Sequence, residues 1–262
     1  MVLEPKKACV GARRVAGSMF ALRRLANWDE AEIVDLENIP NQPAEIFAQC
    51  TKRQLWLIVK HHAFLPSSLC DVDLSDGELT GEIPAVFPVD HKLGHLTSLH
   101  LGQNDLEGAL PTTLFDCLIS LRSLHLNANR LEGGVPDELG NLVELDFLSL
   151  SENRLTALPR ALGNLTKLKT LLVNHNRLVS IPKTIAKLVN LRQLELCSNV
   201  LAGAIRHNDV LSLTGLKKLA LAKNYFSGPL PDAALLKFRD LTCLVLAANT
   251  SSRVLFHAAW AT

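Results

Sequence analysis

One short pattern returns along most of this chain and restricts it to a single kind of architecture. LTSLHLGQNDL, from Leu96, is followed by LRSLHLNANRL from Leu121, LDFLSLSENRL from Leu145 and LKTLLVNHNRL from Leu168. LRQLELCSNVL from Leu191, LKKLALAKNYF from Leu216 and LTCLVLAAN from Leu241 continue it. A looser copy, LCDVDLSDGEL, begins at Leu69, and successive starts are 27, 25, 24, 23, 23, 25 and 25 residues apart. Within each unit L-x-L alternates at period two, which predicts a short strand with both leucines turned inward. A unit this small cannot bury its own apolar face, so it must stack on copies of itself. The pattern therefore predicts a solenoid of eight repeats with one parallel strand per repeat.

Two further columns serve the stack. Asn104, Asn129, Asn153, Asn176, Asn199, Asn224 and Asn249 occupy one position. An amide has donors and an acceptor, so it can bond the backbone of its own turn and of the neighbouring one, whose buried peptide groups need partners. The first repeat has Gly77 there, and its ladder contact is expected to be missing. On the return path Pro84, Pro111, Pro136, Pro159, Pro182 and Pro231 each follow an apolar residue, which suits the start of a short helical turn on the convex side. The fifth full-pattern repeat, with Ala204-Ile205-Arg206, lacks this proline.

These residues carry a resemblance. LTGEIP at Leu79–Pro84 and FSGPLP at Phe226–Pro231 resemble the plant-type leucine-rich repeat, L-x-G-x-[IL]-P. NRLTALP and NRLVSIP are similar to the shorter intracellular repeats of Ras-associated leucine-rich proteins. The resemblance covers residues 66–249. It implies an α/β horseshoe with parallel strands on the concave face and short helical or irregular turns on the convex one. It also implies that binding occurs on the concave face. The paired-cysteine cap typical of plant receptor ectodomains is absent, with Trp56 and Cys70 as a degenerate trace.

Outside the array, residues 1–27 are basic and acid-poor, which predicts a disordered tail, with a composition also similar to a mitochondrial transit peptide. Residues 28–65 contain a helical pattern, AEIFAQCTKRQLWLIVKHH, expected to cap the first repeat. Beyond Asn249 the sequence is irregular. Either Val254, Leu255, Phe256 and Trp260 fold back as a cap, or the array is a fragment of a longer one. No run of apolar residues is long enough to cross a bilayer. The six cysteines, Cys9, Cys50, Cys70, Cys117, Cys197 and Cys243, have no zinc-site spacing. They read as reduced, mostly buried thiols of a cytoplasmic protein, with a Cys50–Cys70 bridge as the alternative. Asn164-Leu165-Thr166 and Asn249-Thr250-Ser251 match the glycosylation triplet, but Asn249 is a ladder residue expected to be buried.

Function must come from the outward residues of the strands. The candidate partner-binding set is Asp71, Asp73, Ser98, His100, Gln103, Ser123, His125, Asn127, Phe147, Ser149, Glu152, Leu172, Asn174, His175, Gln193 and Glu195. Asp71, Asp73 and Asp76 form an acidic entrance, and Lys218 and Lys223 a basic patch further along. Asp73, His100 and His125 are metal-capable types in one row, yet a flat sheet holds them side by side and does not converge them, so a solvated polar face is expected, with a metal site there as the remote alternative. The two histidines are expected to titrate together near neutral pH and make binding pH-sensitive. Arg130, Arg154 and Arg177 stack after the asparagines, as a solvated charge ladder or a phosphate-binding strip.

Other function classes find no support. A formal charge of +1 and 5% aromatic content argue against a nucleic-acid surface. G-x-S-x-G, G-x-x-x-x-G-K-[ST] and H-E-x-x-H are absent, so the chain is not expected to be an enzyme or to hold a cofactor. The sequence predicts a monomeric protein-binding module, a scaffold or regulatory adaptor in signalling. The alternative is an ectodomain-like receptor fragment, secreted or on the cell surface, that senses a peptide or secreted protein.

Overall fold

The computed structural model describes residues 70–83, 94–204, 210–227 and 236–249. The expected tail, the helical cap, Pro84, Pro231 and the end beyond Asn249 lie outside the described residues. Strands come in chain order as β1 (Asp71–Asp73), β2 (Thr80–Glu82), β3 (Ser98–His100), β4 (Asp105–Ala109) and β5 (Ser123–His125). They continue as β6 (Arg130–Gly134), β7 (Phe147–Ser149), β8 (Arg154–Ala157), β9 (Thr170–Leu172) and β10 (Gln193–Glu195). The series closes with β11 (Ala202–Ala204), β12 (Lys218–Ala220), β13 (Tyr225–Ser227) and β14 (Cys243–Val245).

β1, β3, β5, β7, β9, β10, β12 and β14 form one parallel sheet of eight strands in that order, the concave face of an α/β leucine-rich solenoid. Register is uniform, with Leu99 beside Leu124, Leu148 beside Leu171 and Leu194 beside Leu219. The uniformity follows from the repeat, because a one-residue slip would turn every strand leucine to the solvent. Those leucines and the ones that follow the strands, such as Leu101, Leu126 and Leu150, lie in one continuous core. Each buried leucine contributes roughly 1.5–3 kcal/mol over an exposed one.

The asparagine column is the polar seam of the stack. Asn153 Nδ2 donates to the carbonyls of Leu126, Leu150 and Ser151, and its Oδ1 accepts from the Leu131 N–H, all at 2.9–3.2 Å. Asn129, Asn176, Asn199 and Asn224 repeat this arrangement. The residue before each ladder asparagine is in the left-handed region, from Gln103 (φ 57°) to Ala248 (φ 58°). That conformation lets the chain leave the strand while the amide stays inside. The expectation for the first repeat is corrected in part. Asn104 Oδ1 accepts from the N–H groups of Gly77 and Leu79, so the next repeat pins the turn that lacks its own asparagine. Asn249 is half-buried rather than buried, because no described residue stacks on its far side.

The return path is helical in short pieces. An α-helix, α1 (Thr112–Cys117), follows Pro111, and 3-10 turns at Asp137–Asn141, Arg160–Asn164 and Lys183–Lys187 follow Pro136, Pro159 and Pro182. Each proline has φ between −74° and −64° and stands one residue ahead of its turn, where a fixed φ and a missing N–H cost nothing.

Between strand and turn lies a second, lateral layer. β2, β4, β6 and β8 form one small sheet, and β11 and β13 a separate pair. The gap falls at Arg177–Ile181, and its cause is visible in the sequence. From Asn129 to Pro136 there are seven steps and from Asn176 to Pro182 six, and the missing residue is a glycine. Gly81, Gly108, Gly133 and Gly203 all have φ between 76° and 90°, a region closed to Val179 and Ser180 at low cost. NRLTALP is equally short; β8 still pairs there, but only with a register shift at Gly133/Gly134.

Candidate ligand-binding face

The sheet register brings Asp73, His100, His125, Ser149, Leu172, Glu195, Ala220 and Val245 into one row across the concave face. Neighbours in such a row are about 4.8 Å apart, close enough for flat side chains to stack. His100 and His125 do so, with ring centroids 4.0 Å apart and planes 14° from parallel. Phe147, two residues before Ser149 on β7 and beside Ser123, closes on the other face of His125 at 4.4 Å and 20°. Three rings from three strands form one slab. The sequence reading named all three residues but not the stack, because Phe147 belongs to a different column and reaches His125 diagonally.

Each imidazole is held by its own strand. His100 Nε2 lies 2.8 Å from Ser98 Oγ, and His125 Nε2 lies 2.9 Å from Ser123 Oγ. Both serines were in the candidate set, and they orient the rings. Burial, and secondarily the charge of His100, lower the His125 pKa from 6.5 to about 4, against the opposing pull of Asp73. The expectation that the two rings titrate together near neutral pH is therefore corrected. His125 is sandwiched and stays neutral there. Parallel rings with their Nε2 atoms turned to serines do not converge on a point. Among the described residues no group of three His, Cys, Asp or Glu side chains has metal-binding geometry.

The acidic entrance is where the sequence placed it. Asp71, Asp73 and Asp76 are exposed beside the stack. Asp73 Oδ1 accepts from the Ser75 N–H at 2.9 Å and from Ser75 Oγ at 2.6 Å, which fixes the carboxylate. Gln103, Glu152 and His175 are exposed on the rim, at the left-handed turn positions. Asn127 is half-buried and lies over Gly102, where an added Cβ would meet its Oδ1 at 2.8 Å. Ser149 is only 4% exposed and offers a partner almost nothing.

The second half of the face is organised differently. Glu195 accepts from Lys218 Nζ at 2.6 Å, Asn174 Nδ2 at 2.7 Å and Gln193 Nε2 at 2.6 Å. Burial alone would raise its pKa, and the three hydrogen bonds together overcome that and lower it. Asn174 Oδ1 accepts in turn from the Cys197 N–H at 2.8 Å. The expected basic patch is thereby reduced, because Lys218 is tied to Glu195. Cys197 is half-buried, and burial first, with Glu195 behind it, pushes its thiol pKa up, which lowers its reactivity. Further on, Ala220 and Ala222 are buried and Val245 is half-buried, an apolar floor with Lys223 at its edge.

The arginine column is a charge ladder at its first rung. Arg130 pairs with Asp105 at 2.9 Å, both about half exposed. Cys50 lies outside the described residues, as does any bridge it makes. No helix among the described residues is long and apolar enough to cross a membrane.

A family model described as a leucine-rich repeat region matches residues 85–237. Among solved structures, a plant peptide hormone receptor, RGFR1 in complex with RGF2, aligns at 36% identity and a TM-score of 0.62, over 71% of this chain and 30% of that one. The Arabidopsis receptor kinase HAESA, in complex with the peptide hormone IDA and the co-receptor SERK1, aligns at 32% identity and 0.62, over 71% and 31%. A Leptospira interrogans protein of the same repeat class, LIC12759, shares the fold at 23% identity and 0.51, over 71% and 56%. The chain thus spans about a third of the length of the receptors it resembles. No curated protein matches it significantly.

Proposed function

Because this chain belongs to the leucine-rich repeat family, we propose that it is a non-enzymatic recognition module whose concave face takes an extended peptide segment. The observation that carries this reading is the slab of His100, His125 and Phe147 beside Asp71, Asp73 and Asp76. Eight strands at about 4.8 Å span about 34 Å, which an extended segment of roughly ten residues covers. The outward residues of the first four repeats carry Asp71, Asp73, Asp76 and Glu152 and no lysine or arginine. A ligand with its cationic end over those repeats is therefore favoured, with an apolar or aromatic side chain against the slab.

The receptor-like role fits better than the cytoplasmic adaptor. RGFR1 and HAESA are described in complex with RGF2 and with the peptide hormone IDA, and each is a receptor. On that likeness the module is secreted or displayed at the cell surface. The adaptor reading would use the same face for a protein partner, but no observation on that face favours it.

The test is selection of the full chain against a displayed library of random peptides. Enriched peptides should carry Lys or Arg toward one end, and their binding should fall at least tenfold with His125→Ala/Phe147→Ala. It should also weaken with salt, as charge-steered binding does. Peptides that bind the double variant unchanged would place recognition elsewhere.

A further inference from the structure

The chain contains two glycosylation triplets, and the fold treats them in opposite ways. We propose that Asn164 is an N-glycan acceptor on the convex side and that Asn249 is excluded. The proposal rests on the extracellular part of the reading above.

Asn164 ends the 3-10 turn Arg160–Asn164 and is exposed, as is Thr166. Between them Leu165 is buried at 0% exposure and anchors the loop, and the Thr166 N–H donates to the Asn164 carbonyl at 2.8 Å. The triplet is thus a tight bend pinned at its centre with both reactive side chains outside. No described residue hydrogen-bonds the Asn164 side-chain amide. Its counterpart in the preceding repeat is engaged, since Asn141 donates to Asp116 at 3.0 Å, and the next repeat carries Lys187 at this position. Asn164 Nδ2 lies against Gly140 of the preceding repeat, where a Cβ would come within 3.1 Å of it, so the missing side chain there is what lets the amide sit at the surface.

The surroundings supply a second observation. Ile119, Val143 and Val189 stand 53%, 49% and 67% exposed, and Val143, Thr166 and Val189 hold the same position in three consecutive repeats. An exposed β-branched row of this kind is an invitation to self-association. An oligosaccharide on Asn164 lies beside it, on the side of the molecule away from the concave sheet, so ligand binding is left open.

Asn249 cannot serve. Its Nδ2 donates to the carbonyls of Leu246 at 2.7 Å and Leu221 at 3.2 Å, and its Oδ1 accepts from the Phe226 N–H at 3.3 Å. A sugar on that nitrogen would replace one of the hydrogens the ladder uses and force the last repeat open.

The chemistry is transfer from a lipid-diphosphate-linked oligosaccharide, supplied with its transferase by the secretory pathway. The Asn164 amide nitrogen attacks the anomeric carbon and a C–N bond forms. The sugar–phosphate bond breaks, the lipid diphosphate leaves, and the amide proton passes to a base of the transferase.

The experiment is secretion of the full chain behind an added leader from a eukaryotic cell line. The folded, protease-resistant fraction is then analysed by glycosidase treatment and peptide mass spectrometry. One glycan is expected, on Asn164. Asn164→Gln and Thr166→Ala should each lose the whole glycosidase-sensitive mobility step, and Ser251→Ala, which destroys the second triplet but spares the ladder amide, should keep it. An unmodified Asn164 in secreted chain, or a glycan on Asn249 in the folded fraction, would overturn the proposal. Because the leader is supplied, this result is independent of whether the concave face takes a peptide, and the two readings fail separately.

Discussion

The two halves of the concave sheet share a backbone and differ in how much of their chemistry is already used. Around β10 and β12, Glu195 is bonded by Lys218, Asn174 and Gln193, and Asn174 passes the network on to Cys197. Around β3, β5 and β7, the serines hold the imidazoles by one nitrogen each, and the ring slab and three exposed aspartates face solvent. A satisfied network holds shape, and a partner gains little by competing with it. An open aromatic slab beside acids has binding energy left to give. On the proposed reading, one half stiffens the face and the other takes the ligand.

The largest effect should come from the seam that serves both halves. Asn153→Ala leaves the carbonyls of Leu126, Leu150 and Ser151 and the Leu131 N–H without their partner. Loss of about 3–5 kcal/mol is expected in chemical denaturation. Glu152→Ala, exposed one residue away, should shift the midpoint hardly at all, and equal effects would show that the seam is not what joins the halves.

Next comes acid. The His125 pKa is about 4 in the folded chain against 6.5 for a free imidazole, so below pH 6.5 the unfolded chain takes a proton that the folded one refuses. Stability is fully present above pH 6.5 and drains as pH falls toward 4. Solvent screening at this half-exposed ring limits the loss to about 1–2 kcal/mol. In His125→Phe the same pH interval should be flatter, and an unchanged slope would assign it to Asp73 or another group facing the slab.

Exchanging the halves sharpens the division of labour. Phe147→Ala should cost about 1 kcal/mol of stability and lower the affinity of selected peptides roughly tenfold. Glu195→Gln should cost about 1 kcal/mol and leave the affinity within about twofold. The reverse pattern in isothermal titration would mean that the polar half is the reader. Smallest of all, Arg130→Ala breaks an exposed pair with Asp105 and should move stability by less than about 0.5 kcal/mol.

Much of the fold was legible because the repeat states the same rule eight times. Leu99, Leu124 and Leu148 are interchangeable, and so are Asn129 and Asn153, so period and alternation predict strand, core and ladder together. The face was legible as columns but not as contacts. His100 and His125 share a column, and their stacking could be anticipated from strand spacing. The placement of Phe147 on His125, the burial of Ser149 and the capture of Lys218 by Glu195 depend on rotamers chosen by neighbours a repeat away. The missing glycine in NRLVSIP was on the page, yet its consequence, a gap in the lateral layer, required knowing that Gly133 and its counterparts carry positive φ.

The sequence by itself determined the solenoid, the eight strands of its concave sheet, the inward leucines and the asparagine seam, because each follows from a local period that the neighbouring repeats share. Tertiary structure alone decided which outward groups are still available. It stacked three rings and held His125 neutral, it tied Glu195 into a closed network, and it left Asn164 open while engaging Asn249. Availability is a property of what lies across the gap to the next repeat, some 23 to 27 residues away, and no single repeat records it.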